Sequence, residues 1–159
     1  NMNDEERPDL EEVIRRTATA TVIAMEQRQQ QRAADAMLHN TAILMANYKA
    51  LKDYAEGGGP GTGAAWGDAY LESITSSKIR TSIMVAAIDA AMADVAGEYT
   101  NAGQAYKWEA FRARYVEGVS YEEIASALNA GKNSPARWCK DVMAKIAVRL
   151  FGVDGLKRW

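Results

Sequence analysis

Apolar side chains recur along this sequence at intervals of three and four residues, which is the period of an α-helix with one buried face. Residues 10–56 contain no glycine or proline and are rich in Ala, Gln, Arg and Glu. A long N-terminal helix is therefore predicted over 9–56, about 70 Å long if unbroken, with Asp9 as its cap after a disordered start at 1–8. Its apolar stripe consists of Met37, Thr41, Leu44, Tyr48 and Leu51.

A glycine-rich linker follows at 57–67, where six glycines and one proline disfavour any regular structure. It has no Gly-Lys-Ser/Thr ending, so a phosphate-binding loop is disfavoured. A second helical segment is predicted over 68–100, with a short turn at 69–74 and a long helix from Lys78 to about Glu98. The stripe of that helix consists of Thr81, Met84, Ile88, Ala91 and Val95.

Three short helices in quick succession are predicted in the last segment, 104–159. They cover 104–117, 121–128 and 135–150, and each boundary carries a recognisable signal. Gly118 ends the first helix, and Ser120 with Glu123 forms a capping box for the second. Asn129 and Gly131 suit a tight turn, and Ser134 is expected to cap a third helix whose first residue is Pro135. The sequence therefore predicts an all-α fold that ends in a helix-turn-helix domain.

The third helix of this domain is predicted to bury one side and expose the other. Its buried stripe recurs every four residues and consists of Trp138, Val142, Ile146 and Leu150. The exposed start is the part that would enter a major groove of double-stranded DNA. Arg137 is predicted to contact a base, with guanine as its partner, and Asn133 an adenine. Phosphate contacts are predicted for Lys132, Lys140 and Ser134, and for the hydroxyl of Tyr121.

Charge is divided unevenly along the chain. From residue 107 onward there are ten Lys and Arg against six Asp and Glu, a net charge of +4, whereas residues 1–106 carry nine against fifteen, a net charge of −6. Gathering the basic charge at one end is expected if only that end meets phosphate.

Cysteine and histidine content argues against metal and disulfide chemistry. Cys139 is the only cysteine and His39 the only histidine, so an internal disulfide is excluded and a metal site of Cys and His ligands is nearly excluded. Nucleophile–base pairs with recognisable spacing are also lacking, and neither an enzyme nor a cofactor is expected. The start is acidic and no run is long and apolar enough for a membrane span, so a cytoplasmic protein is predicted.

The amino-acid sequence of the C-terminal third resembles that of a known family. The pieces that carry this likeness are RYVEGVSYEEIASAL (114–128), GKN-SP-RW (131–138) and IAVRLFG (146–152). They resemble phage and prophage late-gene transcriptional regulators of the ArpU and RinA type, whose helix-turn-helix is similar to region four of bacterial sigma factors. NYKALKDYAE (47–56) and residues 69–89 look like the upstream helices of such proteins, so the likeness covers roughly 40–159.

This resemblance implies sequence-specific DNA binding, activation of late genes in a bacterial host cell at its nucleoid, and RNA polymerase as a partner. The striped long helices add the prediction of a homodimer. Two alternatives stay open. One is a protein-interaction module that keeps a degenerate helix-turn-helix as packing, and the other is DNA recognition like that of phage terminase small subunits.

Overall fold

A computed structural model describes residues 9–58 and 66–152 of the chain, and within these residues all regular structure is α-helical. The predicted all-α fold is thereby confirmed. The helices are α1 (Leu10–Ala46), α2 (Tyr48–Ala55), α3 (Ala69–Ile74), α4 (Lys78–Asn101), α5 (Ala105–Tyr115), α6 (Tyr121–Ala127) and α7 (Ser134–Phe151). The start predicted to be disordered (1–8), most of the glycine-rich linker and the chain end from residue 153 lie outside the described residues.

The long N-terminal helix is divided at Asn47, where the sequence predicted no break. Asn47 leaves helical geometry with φ −112° and ψ 12°. Its side-chain amide donates to the carbonyl of Ile43 at 2.8 Å, and its backbone N–H reaches the carbonyls of Ile43 and Leu44 at 3.2 Å. A short amide side chain that competes for backbone carbonyls in this way favours the end of a helix over its continuation.

Both predicted apolar stripes are confirmed as core, although the first crosses the break at Asn47. Thr41, Leu44, Tyr48 and Leu51 are buried, and Met37 at the edge is half-buried. On α4 all members of the predicted stripe except the half-buried Met84 are buried. These faces meet because α2 packs along α4, while the end of α1 packs on α7.

Helix α7 lies at the centre of this arrangement. It packs against α1, α4, α5 and α6, and its inner residues belong to the same continuous hydrophobic cluster as residues of α1, α2, α3 and α4. The helix-turn-helix and the upstream helices therefore share one core.

Hydroxyl groups buried near the corner between α3 and α4 are all partnered. Thr81, fully buried, lies 3.0 Å from the carbonyl of Ile74, and Thr75 donates to Leu71 at 2.8 Å. Tyr54 donates to the carbonyl of Thr75 at 3.2 Å. Since a buried polar group without a partner costs about 1 to 3 kcal/mol, these bonds let the corner be buried without that penalty.

The first part of α1 makes no contribution to the core. Ala34 is the first buried residue of this helix, so residues 10–33, called here the arm, extend for about 36 Å with their side chains exposed or half-exposed. Leu10 is 72% exposed and Ile14 59%. No helix among the described residues has the length and apolar character that a bilayer span requires.

The hydroxyl of Tyr48, which donates to the carboxylate of Asp89, joins α2 to α4. Burial, followed by the neighbouring Asp89 carboxylate, raises the pKa of Tyr48. We expect Tyr48→Phe to lower the free energy of unfolding by about 1 to 2 kcal/mol, because a hydrogen bond to a charged group is lost while the ring stays. Urea denaturation measures this change. The control Tyr106→Phe, at a side chain that is 40% exposed, should change stability by less than about 0.5 kcal/mol; equal effects of both substitutions would contradict the prediction.

Candidate nucleic-acid interface

The turns between α5, α6 and α7 are built by local signals that the sequence shows. Gly118 adopts φ +74° after α5, a backbone region that favours glycine. Ser120 then caps α6 and accepts a hydrogen bond from the amide of Glu123 at 3.2 Å, which is the serine half of the predicted capping box. Asn129 takes the left-handed conformation with φ 51°, and the amide of Ala130 donates to the carbonyl of Ala125 at 2.8 Å. These bonds set the angle between α6 and α7.

The predicted cap of the third helix is wrong by one residue. Helix α7 begins at Ser134, with Asn133 in the cap position and no side-chain capping bond. Pro135 is the second helical residue, which is allowed because first-turn amides have no partner inside a helix. The hydroxyl of Ser134 lies instead 3.5 Å from a guanidinium nitrogen of Arg137.

The buried face of α7 is broader than the predicted stripe and is rotated from it. Val142 and Ile146 are fully buried as predicted, but Trp138 is half-buried, with its ring 4.9 Å from that of Tyr106. Leu150 is also half-buried. The face is completed by Pro135, Cys139, Met143 and Ala147. Because α1 and α4 cover α7 from a side that the sequence pattern of α7 does not reveal, the core extends beyond the predicted stripe.

Four of the six predicted contact residues lie exposed around the start of α7: Lys132, Asn133, Arg137 and Lys140. Asn133, Arg137 and Lys140 follow one another at intervals of four and three, so they share one side of the helix. Ser134, beside them, is half-buried. Here these five residues are called the reading face. Among the residues that the structure describes, no carboxylate forms an ion pair with Lys132, Arg137 or Lys140 of the reading face.

Tyr121, the sixth predicted residue, is half-buried at the start of α6. The guanidinium of Arg114 lies 4.5 Å from the centre of its ring. Its hydroxyl lies close enough to Tyr115 and to the Cys139 thiol to influence the pKa of both groups. Tyr121 therefore ties the first turn of α6 to α5 and α7.

Two cations that sequence reasoning missed stand close to the start of α6. Arg114 covers Tyr121, as described above. Lys49, on α2, has its ammonium 3.5 Å from the point where a Cβ at Gly118 would stand. Arg114 is visible in the sequence only as one charge on an amphipathic helix. Nothing in the sequence signals Lys49, because packing of distant helices brings it there.

Acidic side chains gather on another side of the three-helix unit. A groove of about 310 Å³ between α5 and α6 is bordered by Glu109, Glu117 and Glu123, and none of its lining residues belongs to α7. Arg112, also at this groove, pairs with Glu117 at 3.4 Å. Within residues 9–58 and 66–152, no group of three or more His, Cys, Asp or Glu is placed to hold a metal ion.

Cys139 lies under the reading face with 2% of its surface exposed. Burial raises the pKa of this thiol to about 11, and the Tyr121 hydroxyl and Arg114 offset part of the rise. The neighbouring Tyr115 has its pKa raised by burial and by the hydroxyl of Tyr121. The base of the interface is therefore uncharged at neutral pH, and the exposed cations supply its electrostatics.

Comparison with known proteins gives no family: no protein-family model matches the sequence, and no match was found among curated proteins or solved structures. The resemblance to phage late-gene regulators stays a prediction from its motifs.

Because the thiolate is the reactive form, we expect Cys139 of the folded protein to resist iodoacetamide at pH 8 and to react readily in denaturant. The raised pKa also determines how the stability of the fold changes with pH. The folded protein holds the thiol proton more tightly than the unfolded chain, so stability is retained below pH 9 and declines as pH rises from about 9 to about 11. Urea midpoints across this range should fall less steeply for Cys139→Ala. A native thiol that is alkylated as fast as the denatured one would contradict the prediction.

Proposed function

We propose that this protein binds duplex DNA in a sequence-specific manner through its helix-turn-helix. The observation that supports this proposal most directly is the reading face: cations and amide donors exposed around the start of α7, without ion-pair partners among the described residues. Unpaired surface cations around an exposed helix start are what phosphate and base-edge recognition requires.

The packing of α7 supports the same function. Its inner face is held by four other helices, so the outer face is presented as a rigid unit. In the proposed complex the first turns of α7 enter a major groove, Arg137 donates to the O6 and N7 atoms of a guanine, and Asn133 binds an adenine. Lys132, Lys140 and Ser134 bind phosphates on the flanks.

The start of α6 supplies a second set of phosphate contacts in this proposal. Lys49 and Arg114 stand there together with Tyr121. Since the hydroxyl of Tyr121 also faces Tyr115 and Cys139, its main contribution is to hold α6 and α7 together at the phosphate contact. The basic surface thus extends beyond the reading face. The added cations strengthen phosphate binding by a C-terminal segment whose net charge is only +4.

The biological role proposed is that of a phage-type transcriptional regulator, an activator of late genes in a bacterial host, and it rests on the motif resemblance. A homodimer would present two copies of α7 to half-sites about 34 Å apart or a multiple of that distance.

One observation favours a second function, that of a protein-interaction module. The groove between α5 and α6 has an apolar floor and a mostly acidic border, which suits a basic amphipathic helix of a partner such as RNA polymerase. Duplex binding and its salt dependence separate the two functions.

Substitutions on the reading face should separate base contacts from phosphate contacts. We expect Arg137→Ala to cost about 1 to 3 kcal/mol of binding free energy and to relax preference at one base position. Lys140→Ala should weaken binding to all sequences about equally. Selection from random duplexes followed by affinity measurements tests both variants, with Arg28→Ala on the exposed arm as a charge-matched control. If Arg137→Ala keeps its affinity and base preference, the assignment of that residue is wrong.

Salt dependence tests whether phosphates are bound at all. The logarithm of the association constant should fall by about 0.9 for each phosphate neutralised per tenfold rise in salt. Lys49→Ala should reduce the magnitude of this slope by about 1 without changing the preferred sequence. Lys52→Ala, on the same helix, is the matched control. Absence of duplex binding even at low salt would exclude the DNA-binding proposal and favour the interaction module.

A further inference from the structure

Helix α4 carries two apolar stripes on opposite sides. The inner stripe packs in the core, as described above. The second, called here the outer stripe, has intervals of four, three, four, three and four. It consists of Ile79, Ile83, Ala86, Ala90, Ala93 and Gly97. With 3.6 residues per turn, these residues project directly away from the buried side. The sequence pattern does not single out this stripe, because its alanines are equally typical of any exposed helix.

Every residue of the outer stripe is exposed in the single chain. Ile79 is 75% exposed and Ile83 66%, and no charged residue interrupts the stripe. Contiguous apolar surface that a single chain leaves exposed is typical of an interaction site. The outer stripe therefore has the character of an interface, and a second copy of the same chain is the occupant that its details fit.

The size of the side chains along the stripe sets the direction of pairing. Isoleucines occupy the first two positions, whereas alanines and a glycine occupy the rest. An antiparallel second copy, centred at the level of residue 88, places the isoleucines of each copy against small side chains of the other at both ends, with alanine against alanine at the centre. The facing pairs are then Ile79 with Gly97, Ile83 with Ala93, and Ala86 with Ala90. A parallel copy would place isoleucine on isoleucine at one end and leave a gap between the small residues at the other.

Charges beside the stripe favour the same direction. On a helical projection, Arg80, Asp94 and Glu98 lie along one edge of the outer stripe. Antiparallel pairing brings Arg80 of one copy between Asp94 and Glu98 of the other. In a parallel two-fold pair this edge would face the opposite edge of the partner helix, so Arg80 would not meet Asp94 or Glu98. Arg149 already pairs with both carboxylates, with Glu98 at 2.9 Å and with Asp94 at 3.8 Å, but the side chain of Asp94 remains 72% exposed and can reach a further cation.

We infer that two copies of this chain associate through the outer stripe of α4, with the two α4 helices antiparallel about a two-fold axis near Ile88. Such an interface is self-complementary, as a two-fold dimer requires. It uses the side of α4 that faces away from α7, so the reading faces of both copies stay open. Pairing through this stripe does not require DNA, so the dimer can be measured in its absence.

Cross-linking between variants that each carry one added thiol tests the direction. The exposed residues Ser82 and Ala93 face each other in the antiparallel pair, whereas the two copies of Ser82 are about 18 Å apart and the two copies of Ala93 about 15 Å. A thiol cross-linker shorter than both distances should join Ser82→Cys to Ala93→Cys only when the two variants are mixed. The unsubstituted protein is the control for the buried Cys139. Cross-linking of each variant to itself would indicate parallel pairing, and absence of cross-linking would indicate that α4 does not pair; either result overturns the inference.

A charge on the stripe tests whether it is the interface. Mass in solution should show a dimer, and Ile83→Glu should raise its dissociation constant at least about thirtyfold, because it places an unpaired charge in the interface. Helicity should be unchanged because Ile83 makes no core contact in the single chain. The matched control is Ile14→Glu on the arm, which should leave the dimer intact. A monomeric protein, a dimer insensitive to Ile83→Glu, or a dimer disrupted by Ile14→Glu would each show that this face is not the interface.

Discussion

Burial of the inner side of α7 is the interaction on which the rest of the structure depends. Val142, Ile146 and Ala147 are completely buried, and the helices that cover them come from both ends of the chain. Removal of apolar surface from water is the main favourable term in folding, so a helix covered by α1, α4, α5 and α6 organises them all. The upstream helices and the helix-turn-helix consequently form one cooperative unit.

That constraint has a direct bearing on recognition. A helix held on its inner side can present its outer side with little freedom, and a rigid element loses less entropy on binding than a flexible one. The same packing brings Lys49 beside the turn at Gly118. In the proposed complex, the core thus both fixes the reading face and adds a cation to its edge.

Helix α4 shows the limits of periodicity as a guide. Its inner stripe was predicted because Ile88 and Val95 are large and apolar, and burial of the predicted residues confirmed it. Its outer stripe has an equally regular spacing, but two thirds of it is alanine or glycine, which hydrophobic patterns weight lightly. Similarly, Asn47 gave no sign of ending α1, because asparagine is tolerated within helices and only the local backbone competition shows the break.

The sequence by itself determined the helical class, the two core stripes and the turns around α6, because periodicity, Ser120, Gly118 and Asn129 act through neighbours within a few residues. Tertiary structure alone decided how far the buried face of α7 extends beyond the predicted stripe. It also decided where Lys49 lies and which side of α4 stays exposed. These features depend on contacts between helices far apart in the chain, and local spacing carries no information about the partner that covers a given face.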